Sequence, residues 1–249
     1  GKAGNKIVIE EFLEGEEVSF TVLTDGKTIL PLASSQDHKT RDNEDKGPNT
    51  GGMGAYSPAP IVSKETHQKI MEKVINPTME GLLKEGMIYR GFLYAGLIID
   101  EKNNIKVLEF NCRFGDPETQ PILMRLESDL IDLCYQASKG ELEEVKLKWN
   151  PEVALGVVMA AGGYPGPYKK GHSIKGIPSE SETLKVFHAG TKAKNNLITT
   201  NGGRVLCVTA LGKNTADAQI KAYNCVNKID WQDCFFRTDI GYRAIERES

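Results

Sequence analysis

The chain has 249 residues, 39% hydrophobic and 26% charged, with a formal net charge of −3, ordinary values for a soluble globular protein of one large domain or two modest ones. That charge gives no reason to expect nucleic acid or an acidic membrane as partner, no apolar run approaches the roughly 18–20 residues that span a bilayer, and no signal peptide opens the sequence. The cysteines Cys112, Cys134, Cys207, Cys225 and Cys234 are scattered, without a CxxC pair or zinc-type His spacing, which predicts a reduced, cytoplasmic protein.

The sequence starts at Gly1, and Lys6-Ile7-Val8-Ile9 already reads as a buried strand, so the chain is expected to begin in the middle of a fold. Lys6 to Leu23 reads as two strands joined at Glu14-Gly15-Glu16, with Val18, Phe20 and Val22 alternating with Ser19 and Thr21. Gly26-Lys27 turns the chain into Thr28 to Leu32. From Ser34 to Ser57 the sequence is too long and polar for a simple connection, the kind of loop that is functional or disordered. Its run Gly47-Pro48-Asn49-Thr50-Gly51-Gly52-Met53-Gly54 permits positive φ and close backbone approach to a ligand. His38 sits in this loop between Asp37 and Lys39.

Ser63 is expected to cap a helix running to about Glu85, with Ile70, Val74 and Leu82 on one face and Pro77 kinking or splitting it. Phe92–Ile99 and Ile105–Asn111 read as a hairpin, and Leu123, Leu126, Leu130 and Leu133 as one helix. Trp149-Asn150-Pro151 marks an expected boundary between units 1–149 and 150–249. Strands at Ala154–Ala161, Lys185–Ala189 and Arg204–Leu211 follow, then a helix capped by Thr215 that runs to about Lys228.

The chemistry concentrates in Val107 to Gln120. On a strand, Glu109, Asn111 and Arg113 share one face, and Leu108, Phe110 and Cys112 the other. Two hard oxygen ligands beside a cation suit Mg²⁺ bridging phosphate oxygens. Arg113 fits a plain salt bridge or a counter-charge to a transferring phosphoryl group equally well. Asp116, before Pro117 and Glu118, reads as a helix N-cap, which need not exclude ligand binding. Glu10, Glu11, Leu13 and Glu17 form a stretch that is either a nucleotide contact or solvated charge. Asn201-Gly202-Gly203-Arg204 is either a phosphate cradle or a bare hairpin turn. There is no Walker P-loop, no GxSxG element and no Cys–His nucleophile pair.

Glu109-Phe110-Asn111-Cys112-Arg113-Phe114-Gly115-Asp116-Pro117-Glu118-Thr119-Gln120, together with Gln36-Asp37-His38-Lys39 and Gly47 to Pro58, closely resembles the glycinamide ribonucleotide synthetase family of ATP-grasp ligases. The resemblance runs from Ile7 to Arg247, through Ala160 to Gly166 and Val186 to Thr191. It implies an α+β fold: the antiparallel, helix-backed second part of an ATP-grasp domain over 1–149, then a smaller α+β substrate-binding domain over 150–249. It implies ATP-dependent joining of glycine to 5-phosphoribosylamine through a glycyl phosphate, in purine biosynthesis. By the same resemblance Glu109 and Asn111 bind Mg²⁺ or Mn²⁺, and Arg113 is catalytic. Glu10, Glu11, Phe12 and Leu13 form the adenine hinge, and Glu17 holds the ribose. Asp37, His38, Gly51, Gly52, Met53, Asp116, Lys192 and Arg204 meet the substrates, the last two at the ribonucleotide phosphate.

The family's N-terminal domain and phosphate-binding lobe lie upstream of this sequence, so the expected partner, besides the small molecules, is the N-terminal part of the same enzyme. A non-catalytic nucleotide-binding fragment and a different ATP-grasp carboxylate–amine ligase are the alternatives.

Overall fold

The structure, a computed structural model, describes residues 7–179, 181–194 and 197–249. Gly1 and Lys6 fall outside them. Two antiparallel sheets carry the fold, with helices packed against each. The first sheet has the order β2-β1-β7-β8, from β1 (Glu16–Thr24), β2 (Ile29–Pro31), β7 (Gly91–Ile99) and β8 (Ile105–Asn111). Phe20 and Val22 on β1, with Leu93, Ala95 and Leu97 on β7, form one apolar face under Ile70, Val74 and Ile75. Those three come from α1 (Lys64–Ile70) and the widened turn Met71–Ile75, which runs on into α2 (Asn76–Lys84). Ser63 caps α1 as expected, accepting a hydrogen bond from the Thr66 N–H. Pro77 stands at the start of α2, directly after the wide turn, where its missing N–H breaks the regular helical ladder.

The opposite face of this sheet is divided. At one end Leu23 and Phe92 pack with Leu133, Ala137 and Leu142, which belong to or follow α4 (Leu130–Lys139). At the other end, around Ser19 and Gly96, no apolar cluster covers it. Register places Ser19, Gly96 and Glu109 in one cross-strand row and Thr21, Tyr94 and Asn111 in the next.

The second sheet, β10-β13-β9-β6-β3, consists of β3 (Gln36–Asp37), β6 (Gly54–Ser57), β9 (Val153–Ala160), β10 (Leu184–His188) and β13 (Arg204–Gly212). Its core of Leu155, Val157, Val205 and Val208 packs on Ala218, Ala222 and Val226 of α5 (Thr215–Val226). The chain enters this sheet just after Asn150, but two of the five strands come from residues 36–57. The stretch read as a polar loop is therefore structural. It supplies these strands and the small ladder of β4 (Thr40–Asp42) and β5 (Lys46–Asn49). Ser35 exchanges backbone hydrogen bonds with Ser19 of the first sheet (2.9 and 3.2 Å), and Gln36 pairs with Tyr56 of the second. One short segment thus belongs to both sheets.

Three other expectations are corrected. Ile7 to Leu13 form no strand; Ile9 is 89% and Phe12 87% exposed, with no apolar surface among the described residues to cover them. The Leu123–Leu133 helix is two helices, α3 (Thr119–Arg125) and α4, because Leu126 leaves the helix to bridge Trp149. Asn214, not Thr215, caps α5, accepting from the Asp217 N–H at 2.8 Å. The hairpin of β11 (Thr191–Lys194) and β12 (Leu197–Thr200), and α6 (Tyr242–Glu248), were not anticipated. Among the described residues no helix is long and apolar enough to cross a membrane, and all five cysteines are free.

The C-terminal segment is strapped to the 36–57 region by charge. Arg237, fully buried, lies 3.0 Å from Asp45 and 2.8 Å from Asp239. Asp45 also accepts from the Tyr242 hydroxyl (2.6 Å) and pairs with Arg243, while Arg247 pairs with Glu16. The His38 ring, the Tyr242 hydroxyl and the Arg243 and Arg237 guanidiniums hold the Asp45 carboxyl well below the usual carboxylate range, against the cost of its burial. A carboxyl depressed in the folded state stabilises above the unfolded pKa of about 4 and loses that contribution as pH falls through it. Asp45→Asn should cost about 3 kcal/mol at pH 7, and the gap to the parent should narrow as pH drops below about 4. Urea unfolding across that range checks both, and a gap independent of pH would refute the assignment.

Candidate functional site

On the open end of the first sheet, Glu109 and Asn111 face a cleft of about 730 Å³. The period of two that grouped them survives a bulge at Leu108: Glu109 pairs with Gly96 and Val107 with Leu97. The absent side chain at Gly96 leaves room for Glu109 to lean inward. A Cβ there would stand 3.3 Å from Glu109 Cγ and 3.4 Å from the Tyr94 ring. Asn111 Nδ2 donates to Glu109 Oε1 at 3.0 Å, and among the described residues the Asn111 Oδ1 and Glu109 Oε2 atoms have no hydrogen-bond partner. Among the described residues no group of three or more His, Cys, Asp or Glu forms a metal cage. The donor set is thus a two-oxygen platform, suited to a hard divalent ion that completes its shell with water and phosphate oxygens.

Arg113 also lines the cleft, but the strand ends at Asn111. Arg113 reaches the cleft from a bend, its Nη1 donating to the Phe114 carbonyl at 2.7 Å. Leu108 and Phe110, on the other face of β8, are about two-fifths exposed, because the helices that back β7 do not extend over this edge strand. Asp116 is not a helix cap: α3 starts at Thr119 and Glu118 occupies the cap position without a side-chain hydrogen bond to the helix. The Asp116 carboxylate instead faces Arg204 at 3.2 Å inside the cleft.

The back wall is a buried ionic cluster. Lys39 Nζ lies 2.9 Å from Asp37 and 3.4 Å from Glu17. Ser19 donates to Glu118 at 2.7 Å and sits 2.9 Å from the Tyr94 hydroxyl. Burial first, then the charge of Glu118, pushes the Asp37 carboxyl up to about 8, with Lys39 pulling the other way. Burial likewise raises Glu17, helped by Glu118 and Glu109 and opposed by Lys39. Burial disfavours the Lys39 ammonium, but Asp37, Tyr94, Glu17 and Glu118 outweigh it and hold it firmly protonated. Three carboxyl groups around one ammonium retain a proton at neutral pH, and Asp37, the deepest, is where burial favours it.

Not all sequence-predicted residues meet in the cleft. Gly51 lines it. Gly52 (φ +107°) backs onto Pro117, where a Cβ would collide. The Asp37 side chain has no exposed surface and acts only through Lys39. His38 is also buried behind the wall: its Nε2 accepts from the Gly241 N–H at 3.0 Å and its Nδ1 lies 3.6 Å from Asp45, so it ties down the C-terminal strap. Met53 is wholly buried in the second core. Lys192 lies on the exposed β11–β12 hairpin, away from the cleft. The 201–204 run is neither an open cradle nor a hairpin turn, since β12 and β13 are not paired and Gly203 is packed against the Tyr164 ring.

Lys39, Tyr94 and Glu118 were missed. Lys39 alternates with Asp37 along one segment, which is the signal that could have found it. Glu11, Phe12 and Leu13 line a second cleft with Ile98, Asp100 and Lys106, Lys106 pairing with Glu11. Glu10 is exposed beside them, and Glu17 stands between the two clefts on β1.

Two family models match: "Phosphoribosylglycinamide synthetase, ATP-grasp (A) domain" over residues 1–119 and "Phosphoribosylglycinamide synthetase, C domain" over 154–243. The chain is 60% identical over 250 residues to a phosphoribosylamine–glycine ligase of Escherichia coli (strain K12), and 61% over 249 residues to that of Allochromatium vinosum. In both cases all of this chain is covered, and it spans 58% of the relative's length. A crystal structure of phosphoribosylamine–glycine ligase from Thermotoga maritima superposes with a TM-score of 0.82 at 35% identity, over 93% of this chain and 57% of that one. The biotin carboxylase domain of a thermophilic 2-oxoglutarate carboxylase shares the fold alone, with a TM-score of 0.66 at 16% identity, over 90% of this chain and 49% of that one.

The raised Asp37 carboxyl makes a prediction about pH. The unfolded chain releases this proton near pH 4 and the folded chain only near 8, so between these values the native state binds more protons and stability falls as pH rises. Asp37→Asn should flatten that decline, leaving the smaller contribution of Glu17. Urea midpoints at several pH values between 4 and 8 measure the slope; equal slopes in parent and variant would rule out titration of Asp37 in this window.

Proposed function

The chain belongs to the phosphoribosylglycinamide synthetase family, and on that premise we propose that it supplies the metal, hinge and substrate wall of an ATP-dependent ligase joining glycine to 5-phosphoribosylamine. The observation that carries this reading is the convergence of Glu109, Asn111, Lys39, Arg113 and Asp116 on one cleft. It offers oxygen donors, fixed positive charge and a carboxylate to meet an amine, and the described residues that line it include no Ser, Cys or His. In the proposed reaction the γ-phosphoryl group of ATP passes to a carboxylate oxygen of glycine, giving an acyl phosphate and ADP. The amine of 5-phosphoribosylamine then attacks the acyl carbon. The C–N bond forms, phosphate leaves, and the amine releases a proton.

The residues divide this work. Glu109 and Asn111 would hold Mg²⁺ or Mn²⁺, which would supply positive charge to offset that of the phosphate groups. Arg113 and Lys39 present preorganised cations to charge developing on the transferring group. The Asp116 carboxylate accepts a hydrogen bond from the substrate amine and orients it. Residues 10–13 meet adenine through backbone groups, with Phe12, Leu13 and Ile98 as apolar contacts, and Glu17 accepts from the ribose hydroxyls. The relatives carry further chain, and the rest of the nucleotide pocket is assigned to it. The free cysteines fit a reduced, cytoplasmic setting.

In the full-length protein, phosphate release should require both glycine and 5-phosphoribosylamine, and Glu109→Ala should lower kcat by about 100-fold or more. Near-normal turnover in that variant would sink the metal role. The exposure of Ile9 and Phe12 leaves the hinge cleft open on one side and favours a second reading, a nucleotide-binding module without turnover. Calorimetry of the 249-residue chain with Mg·ADP separates the two. Weak or absent binding is expected, and submillimolar affinity would favour the module.

A further inference from the structure

Arg204 was read from the sequence as a phosphate ligand, but the structure commits part of it elsewhere. Its Nη1 donates to the Gly51 carbonyl at 2.6 Å and to the Asp116 carbonyl at 2.7 Å, which uses both N–H groups of that nitrogen. We propose that Arg204 is a positioning residue: its guanidinium locks the Gly51 peptide to the Asp116 main chain and so sets where the Asp116 carboxylate stands in the cleft.

The Gly51 residue is held from both sides. Its carbonyl accepts from Arg204, and its N–H donates to the Tyr164 hydroxyl at 2.9 Å. Both anchors come from the C-terminal unit, while Gly51 and Asp116 come from two other stretches of chain. A Cβ at Gly51 would stand 3.0 Å from Arg204 Cζ and 3.1 Å from Nη2, so a side chain there would displace the guanidinium by a few tenths of an ångström. The neighbouring Gly52 lies against Pro117, so the 50–52 loop and the 116–117 turn nest on each other around the guanidinium. Arg204 is aimed at them by a register shift between Arg204 and Leu206 at the start of β13.

Asp116 depends on this arrangement. Its side chain is half exposed, and apart from Arg204 at 3.2 Å its recorded side-chain partner is Gln120 at 3.5 Å, at the limit of a hydrogen bond. Charge-assisted bonds from a guanidinium to carbonyls are stronger than neutral ones and directional. Without them the turn that carries Asp116 and the loop that carries Gly51 lose their common anchor.

The kinetic half of the test rests on the ligase reading above; the structural half does not. In the full-length enzyme, Arg204→Met should lower kcat by about 100-fold while changing KM for 5-phosphoribosylamine by less than about threefold. Arg204→Lys should recover part of kcat, since an ammonium can donate to both carbonyls. A large rise in KM with kcat preserved would mark Arg204 as a phosphate-binding cation and overturn the proposal. On the 249-residue chain, hydrogen exchange at the Gly51 and Gly52 amides should quicken by about tenfold in Arg204→Met, with Val208 in β13 unchanged. Unchanged exchange at those glycines would also overturn it. If Val208 loses protection in the Met variant, the same comparison is made with Arg204→Lys, where a smaller acceleration confined to the two glycines is expected and its absence counts against the clamp. Faster exchange together with an inactive parent enzyme would refute the ligase reading and leave the clamp standing.

Discussion

The structure depends on the burial of Ser35–Lys39 between the two sheets. Ser35 completes the edge of β1, Gln36 and Asp37 form the edge strand of the second sheet, and Lys39 emerges in the cleft. Burial pushes the Asp37 carboxyl toward its neutral form, and Lys39 Nζ lies 2.9 Å from it. The same ammonium stands beside Glu17. Lys39 thus bridges Asp37 of the second sheet and Glu17 of the first and stands as a fixed cation in the wall of the site. His38, between the two charged residues, points the other way and pins Gly241, so the segment anchors the C-terminal strap as well.

This arrangement explains why the cleft is open. The apolar residues of α4 cover one end of the first sheet's outer face, and at the other end the row Ser19, Gly96 and Glu109 offers nothing for a hydrophobic element to bury. The polar end is closed from the side by the second sheet, which brings Gly51, Asp116 and Arg204 to its rim. The site is thus composed of strand-borne oxygen donors on a rigid sheet, facing loops held by main-chain hydrogen bonds. That division suits a reaction in which positioning and electrostatics carry the chemistry.

Elements whose residues obey a period were legible. The β7–β8 hairpin followed from alternation in Phe92–Ile99 and Ile105–Asn111, and the common face of Glu109 and Asn111 survived the Leu108 bulge. Ser63 and Pro77 marked a helix start and a break by local stereochemistry. Residues 36–57 were misread because their strands are short and β6 takes its second partner from a distant stretch of chain, Gly54 pairing with Val157 and Ser57 with Ala154. Asp116 had the local pattern of a cap, but its partner Arg204 comes from a distant strand and is visible only in three dimensions. Ile7 to Leu13 had a strand's composition and found no partner strand among the described residues.

By itself the sequence determined the periodic elements, the oxygen donors at 109 and 111 and the family whose motifs it carries, because these are properties of neighbouring residues. Tertiary structure decided which polar residues face solvent, ligand or interior. It withdrew Asp37, His38 and Met53 behind the wall, left Lys192 outside, and brought Lys39, Tyr94 and Glu118 in. It also turned Arg204 from a free cation into a bridge between two main chains. The physical reason is that a charged group's role is set by what desolvates and neutralises it. Here, apart from the neighbouring Asp37 and Lys39, those partners come from distant stretches of chain, as Glu17 does for Lys39 and Arg204 for Asp116.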